Sequence, residues 1–580
     1  MPLVLSPKQI NFRTLLPALT FTLGFIIVGA AGTERLASSL EWLLAFLSDN
    51  FGAFLLLFGL SILFIVIGLT FTRVGDLRLG GTNAKPDFSY STWFAIALNG
   101  CIGTGILFWA MGEPIFHMAK PPAAASAGPF TREAAIFAVA QTFTHWTLVQ
   151  YGLYTFCAVV VGILAWNFHR ALGITTFLEE FVSPRVYLII KDFTHTACIC
   201  CIAGAVSCSM GVGIMQISSG LGFLNIIDPS PMVWFVIVSM LAFVYTISAL
   251  LGIKRGLNIL SKICTAIFAS LMIYAVVVGP TQFIMNLSVT AFGDYLNNFV
   301  EHSLILPTLA PGETWSRDWD VQFTASFFVY APILGLFLAR LGKGRTIREF
   351  VWMNIFAPSV FCILWIGAWA SMAVWCQWSG TFDIWAHVQA SGMESTIFAL
   401  LSTLPQGRML SAFFLFAVFF SFATLADAIT GTMAVLSTKN ASVGEEPPVL
   451  IKALWGIVIA MISYVLIISG GQDAIRSLFT LIGLPMAFVV MLYLWYIVRY
   501  SSLSLGRLTG LNAGAQAVKP NAGALCETIS PRQCLSSTDH AVLSTLNSST
   551  PAGSKHWPVR SSIPTQYLYS FISNMRNLIP

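Results

Sequence analysis

Charge is what this chain has little of: Lys, Arg, Asp and Glu make up 9% of its 580 residues, against 56% apolar types. A body of this size with so little ionisable surface cannot stay dispersed in water, so its solvent is lipid. Histidines are few and scattered, with His145, His169, His195 and His302 far apart in sequence; that argues against the clustered acid–base groups of a membrane-bound enzyme. Of eleven cysteines, Cys198, Cys200, Cys201 and Cys208 fall in one apolar run without metal-ligand spacing, so neither a metal site nor structural disulfides are expected. Residues 1–12 show no apolar run followed by a small-residue cleavage site, and the first hydrophobic stretch begins at Arg13. It is read as a retained span. The net charge of +5 lies in short loops between apolar runs, a topology signal that implies no nucleic-acid partner.

What is there is a series of long apolar runs. At roughly 20 residues per crossing, about twelve membrane helices are predicted, near 13–33, 50–72, 90–117, 134–166, 194–224, 231–251, 257–286, 319–340, 349–376, 409–437, 449–470 and 475–499. Basic residues collect after the second, fourth, sixth and eighth of these (Arg73, Arg78 and Lys85; Arg170, Arg185 and Lys191; Lys254 and Arg255; Lys343, Arg345 and Arg348). That alternation predicts a multi-pass protein of the inner (plasma) membrane with both termini cytoplasmic. Three regions follow: a cytoplasmic N-terminus over 1–12, a membrane domain of twelve helices over 13–500, and a cytoplasmic tail over 501–580. The tail turns to Ser, Thr, Asn, Gly and Pro, and 500 to about 562 is expected to be disordered. Between the seventh and eighth spans, Ser288 to Leu306 mixes apolar residues with Asp294, Glu301 and His302. Both a helix lying along the membrane face and an ordinary extracellular loop fit it.

Two stretches point to a ligand. Asn99-Gly100-Cys101-Ile102-Gly103-Thr104-Gly105 is a membrane segment broken by glycines, each lowering helix propensity by about 1 kcal/mol. In lipid such a stretch marks a helix kept partly unwound for a solute, as transporters build their sites. The second is the apolar segment Phe323 to Tyr330, which leads into Arg340-Leu341-Gly342-Lys343-Gly344-Arg345-Thr346-Ile347-Arg348-Glu349.

The chain resembles the betaine/choline/carnitine transporter family over roughly residues 13–500. The strongest match is Phe337-Leu338-Ala339-Arg340 followed by Gly344-Arg345-Thr346-Ile347-Arg348-Glu349-Phe350. Phe108-Trp109 with Glu113-Pro114, His145-Trp146, Gly211-Val212-Gly213 with Gln216, and Leu260-Ser261 with Gly279-Pro280-Thr281 support it in order. The resemblance implies an all-α polytopic fold with an inverted-repeat (LeuT-like) core, spans three to seven and eight to twelve forming the repeats. It also implies a substrate site near the bilayer midplane between the repeats, and a homotrimer.

A quaternary ammonium has no N–H to donate, so aromatic faces must hold it, each contributing roughly 0.5–2 kcal/mol. Trp146, Tyr151 and Tyr154 fall within about 140° of one another on an unbroken helix, and Phe323, Phe327 and Tyr330 follow i, i+4, i+7 spacing. Both sets match aromatic positions of the family's substrate box, although the family usually presents several tryptophans where this chain has Thr324, Ser326, Phe327 and Tyr330. Backbone N–H groups of Cys101, Ile102, Gly103, Thr104 and Gly105 would take a substrate carboxylate. Choline-selecting relatives tend to carry an aspartate there, so a zwitterion is favoured over free choline. For coupling, Ala423-Thr424-Leu425-Ala426-Asp427 keeps Thr424 but has Leu425 where sodium-driven relatives have a serine, so a sodium ion would lose an oxygen ligand. Lys262 has two readings, a fixed charge in place of sodium or a side chain snorkelling to the interface. The first makes transport an ion-independent exchange; sodium- or proton-coupled uptake for osmoprotection is the alternative. No cofactor is expected, and Glu113 and Asp427 rank second among functional candidates.

Overall fold

With no water to satisfy backbone N–H and C=O groups inside a bilayer, an apolar chain closes its hydrogen bonds within each segment, and helices result. The computed structural model describes residues 10–30, 34–103, 105–307 and 312–510; the side chains at 25–26, 28–30, 34–41, 43–44, 469–482 and 500–510 fall outside that description. Helices α1 (Phe12–Ala30) and α2 (Glu34–Thr70) precede α3 (Tyr90–Ile102) and α4 (Gly105–Ala119), then α5 (Arg132–His145) and α6 (Leu148–Gly162). Next come α7 (Pro184–Phe223), α8 (Pro231–Leu251), α9 (Asn258–Val278), α10 (Thr281–Asn297) and the single turn α11 (Phe299–His302). The second half holds α12 (Gln322–Leu341), α13 (Ile347–Ser379), the short α14 (Ile384–Ser391) and α15 (Thr396–Ser402), α16 (Gly407–Leu436) and α17 (Val449–Gly510).

The helix starts are written locally. Ser89, Thr131 and Ser230 cap α3, α5 and α8 by accepting an N–H of the first turn, and Thr346 with Glu349 forms a reciprocal capping box on α13. Large apolar side chains of α8, among them Met232, Phe235 and Phe243, stand 50–69% exposed, as a lipid-facing surface requires. The chain is an all-α polytopic membrane protein. Among the described residues nine helices are long and apolar enough to cross a membrane, and the pair α3 and α4, bent by 61°, makes a tenth.

Several boundaries differ from the sequence expectation. The fourth span is not one helix: α5 ends at His145, and Thr147 sits at φ −126°, ψ −120° before α6 begins. The seventh ends at Val278, because Gly279-Pro280 stops it, and Thr281 opens α10. The segment 288–306 is therefore helical as far as His302, through α10 and α11, and irregular over 303–306. The eleventh and twelfth expected spans lie in one helix, α17, which runs to Gly510, past the composition change near 500; residues 511–580 are outside the described region.

The loop after α12 shows why its motif is so particular. Leu79 N donates to Arg345 O (2.9 Å), Gly344 N to Leu79 O (2.8 Å) and Ile347 N to Leu77 O (2.9 Å), a short backbone ladder against the segment after α2. Gly344 sits at φ +74°, and a Cβ there would lie 2.4 Å from the backbone of Lys85 and Pro86, so only glycine fits. Arg345, 7% exposed, lies over the Tyr90 ring at 3.9 Å and the Trp93 ring at 5.2 Å and donates to Phe88 O at 2.8 Å. The motif binds α12 and α13 to the start of α3 and touches no solute cavity. Arg345→Ala should destabilise the protein by about 1–3 kcal/mol through the lost stacking and the orphaned carbonyl, read as a lower thermal midpoint in detergent with the solute affinity of the folded fraction unchanged.

Candidate functional site

Two broken helices face each other. Gly103 ends α3 at φ +59°, ψ −153°, and a Cβ on it would meet Leu425 Cδ2 at 2.5 Å, so the turn needs a residue without a side chain. Helix α4 begins at Gly105. Opposite, the break at Trp146 and Thr147 turns the Trp146 indole toward that start: a Cβ on Gly105 would lie 2.6 Å from Trp146 Cη2. The same indole donates from Nε1 to Glu113 Oε2 at 2.8 Å, two turns further along α4.

Between the breaks, α12 and α7 lies a cavity of about 130 Å³; one water needs about 10–15 Å³ on that measure. Rings of Trp109, Trp146, Tyr154, Phe323, Phe327 and Tyr330 wall it, with Phe108, Trp319, Gln150, Gln322 and Ser326 among the rest of the lining. Of the lining residues only Asp318 carries a carboxylate, and it is engaged with Arg317 Nε at 3.4 Å and Thr314 Oγ1 at 2.7 Å. Trp109 meets Trp319 edge-on at 5.6 Å and Trp146 meets Phe323 edge-on at 5.3 Å, contacts that set the ring angles. Tyr330 donates to Ala205 O of α7 at 3.1 Å.

Of the residues singled out from sequence, Trp146, Tyr154, Phe323, Phe327, Tyr330, Cys101, Ile102 and Gly105 line the cavity. Gly103 does not line it but makes the turn; Thr104 is outside the described residues. Tyr151 is not among the lining: its hydroxyl meets Cys362 Sγ of α13 at 3.3 Å and its ring packs edge-on against Tyr154 at 6.3 Å, one layer behind the wall. Lys262 is exposed on the outer side of α9 beside Ile259 and Ile263, which are 58% and 40% exposed, whereas the adjacent Ser261 is fully buried. That placing fits the snorkelling reading. Thr424 Oγ1 donates to Ser421 O at 2.7 Å and Asn99 O at 3.3 Å. Sequence reasoning missed Asn99, whose Nδ2 donates to Ala95 O, Ser261 O and Thr265 Oγ1 at 2.7–3.1 Å and so fills the space between α3 and α9 beside Thr424. An asparagine within an apolar run was the available signal.

Two charge clusters bracket the cavity. Toward one end Glu113 Oε1 meets His145 Nδ1 at 2.6 Å and His117 Nε2 at 3.3 Å, and His145 Nε2 meets Asp320 Oδ1 at 2.5 Å. The donor atoms of Glu113, His117 and His145 all lie within 4.8 Å, yet 2.6 Å is the spacing of hydrogen-bonded partners, and two ligands of one zinc at about 2.0 Å stand about 3.3 Å apart. The cluster is a hydrogen-bond network. Toward the other end Glu446 bridges Arg340 Nη2 at 3.1 Å and Lys452 Nζ at 2.6 Å, and Asp427 accepts from Ser248. Burial alone would raise the Glu446 carboxyl, but the Arg340 and Lys452 cations hold it below its ordinary range.

This arrangement, a polytopic helical body with a ring-walled cavity between two helix breaks, is that of a membrane transporter. The profile of the BCCT, betaine/carnitine/choline family transporter, matches residues 13–504, and the chain belongs to that family. It is 29% identical to the ectoine/hydroxyectoine transporter of Virgibacillus pantothenticus, covering 80% of this chain and 92% of that one. It is 28% identical to the osmo-independent choline transporter BetT1 of Acinetobacter baylyi (80% and 88% covered) and to the glycine betaine transporter OpuD of Bacillus subtilis (84% and 94%). A sodium-coupled sialic acid symporter, solved substrate-bound and outward-open, aligns at a TM-score of 0.39 and 13% identity over 76% of this chain and 86% of that one.

Gly105→Ala should drive a methyl group into the Trp146 ring, which its hydrogen bond to Glu113 keeps from retreating. The expected outcome is normal expression with solute uptake by cells reduced at least about tenfold, the scale of a small-to-large strain of 1–3 kcal/mol.

Proposed function

We propose that this protein carries small zwitterionic quaternary-ammonium solutes, of the glycine betaine or carnitine type, across the plasma membrane, exchanging related solutes without sodium. The observation that supports this best is the lining: eight aromatic side chains with one already paired carboxylate at the edge. Methylated ammonium groups are held by such faces and need no counter-charge. The lining also includes Gly105, the first residue of α4, where N–H groups without intrahelical partners favour a carboxylate. A free choline would leave those donors unused.

Sodium independence is supported by Asn99. Its neutral amide already donates to Ser261 O and Thr265 Oγ1 of α9 while its own backbone carbonyl accepts from Thr424, and the Leu425 side chain offers no oxygen. The positive-inside pattern supports cytoplasmic termini. We further infer the two inverted five-helix repeats of the family and assembly into homotrimers in the bilayer. The ectoine and glycine betaine transporters among the relatives favour a second reading, coupled uptake of a compatible solute for osmoprotection, with the same solute chemistry.

Trp146→Ala or Tyr330→Ala should each weaken glycine betaine binding by about 1–3 kcal/mol, roughly 5- to 150-fold, measured by quenching of intrinsic fluorescence in the purified protein. In proteoliposomes, counterflow of labelled glycine betaine should be the same in sodium and potassium buffers; strict dependence on a sodium gradient would sink the exchange reading while leaving the solute class intact.

A further inference from the structure

The transport reading leaves the cluster behind the rings without a task. His145 presents both ring nitrogens to carboxylate oxygens, Nδ1 to Glu113 Oε1 at 2.6 Å and Nε2 to Asp320 Oδ1 at 2.5 Å, and none of the three side chains is more than 4% exposed. A neutral imidazole has one N–H. For both contacts to be hydrogen bonds, either the ring is cationic between two carboxylates or one carboxyl is protonated; each assignment puts two protons in the triad and leaves one net negative charge. Asp320 Oδ2 is buried and has no hydrogen-bond partner among the described residues. A third proton there makes the triad neutral.

We propose that Glu113, His145 and Asp320 form a proton-binding site that releases its proton when the cationic head of a solute enters the ring cage beside it. The link is short. Phe323 stacks on His145 at 4.6 Å with 21° between planes and meets Trp146 at 5.3 Å, while Trp146 hydrogen-bonds Glu113. A methylammonium against these faces lies one ring away from the triad, in a medium too dry to screen it. The triad carries either the proton or the negative charge that attracts the cation. Binding free energies are reciprocal, so a solute that expels the proton is itself expelled by acid.

Other titratable groups around the triad are already engaged or distant. His117 of α4 lies 3.3 Å from Glu113. Gln141 of α5 donates to Asp320 Oδ1 at 2.9 Å and to His302 O at 3.0 Å, and the His302 ring of α11 faces Asp294 of α10 at 3.6 Å. Arg317 pairs with Asp318 at the cavity edge. Against α4, His387 of α14 is bonded to Ser395 at 2.9 Å and Glu394 lies in the following turn; α13 carries Arg348 and Glu349 only in its first turn.

The inference rests on the proposed solute class, and the test separates the two. Glycine betaine is titrated into purified wild-type protein in weak buffer containing a pH dye, with affinity followed by intrinsic fluorescence from about pH 5 to about pH 9. Acidification on binding is expected, with a dissociation constant that falls by up to about tenfold per pH unit through the triad's titration. Asp320→Asn should abolish the proton release and flatten the profile, and Asp320→Glu should restore both, which a merely structural carboxylate would not do. Tight binding with no proton release and a flat wild-type profile overturns the proton site and leaves the solute reading standing. Should glycine betaine fail to bind, that reading falls, and fluorescence of the solute-free protein decides the proton site: a pH titration lost in Asp320→Asn sustains it, and a flat wild-type curve overturns it.

Discussion

One indole holds the site together. Trp146 lays its ring edge against Gly105 and gives its N–H to Glu113, so the break between α3 and α4 and the break between α5 and α6 are fixed relative to each other. Neither break is tolerable alone in lipid, because each frees backbone groups that hydrocarbon cannot satisfy. Facing one another across a cavity, they spend that cost on a place where a polar solute meets loosened main chain. Gly103 supplies the positive φ, Gly105 the closeness, and Leu425 closes over the turn.

Helix α12 joins this centre to both ends of the protein. Asp320 lies in the turn that leads into it and Arg340 near its end, twenty residues or about 30 Å apart at 1.5 Å per residue, the thickness of a hydrocarbon core. Each belongs to a charge cluster, buried at Asp320 and partly exposed at Arg340, and Phe323, Phe327 and Tyr330 stand between them. Charge inside a membrane persists only when paired or functional. Around Arg340 two cations share the Glu446 carboxylate, whereas around Asp320 two buried carboxylates meet at His145, one of them also contacted by His117.

The sequence shows most of the fold because membrane helices are local objects: hydropathy and capping residues such as Thr346 and Glu349 mark them. It shows the ring row on α12 for the same reason, since i, i+4, i+7 spacing holds on a continuous helix. Tyr151 and Tyr154 both lie on α6, yet of the two it is Tyr154 that reaches the cavity, because Tyr151 turns its hydroxyl to α13. Lys262 is exposed because adjacency to Ser261 in sequence means about 100° of separation on a helix, enough to move from a buried face to the lipid. Glu113, His145 and Asp320 were each visible, but their meeting needs α4, α5 and the start of α12 brought together across separations of 32 and 175 residues. No periodicity encodes that.

The strongest family motif and the site turn out to be separate things. Arg345 and Gly344 serve the packing of α12 and α13 on α3, a task indifferent to the solute, so their match carries family membership and no specificity. Specificity lies in the departures. Where the family usually has tryptophans on its eighth helix, Ser326 turns its hydroxyl onto Phe323 O at 2.6 Å and adds no ring to the cage, while Trp109 and Trp319 supply indoles from α4 and from the turn before α12. Trp319 precedes Tyr330 by eleven residues, about 16 Å along a helix. The aromatic wall is therefore extended toward Asp320 and His145, and a cation held there feels the triad more strongly than one held at the level of Tyr330.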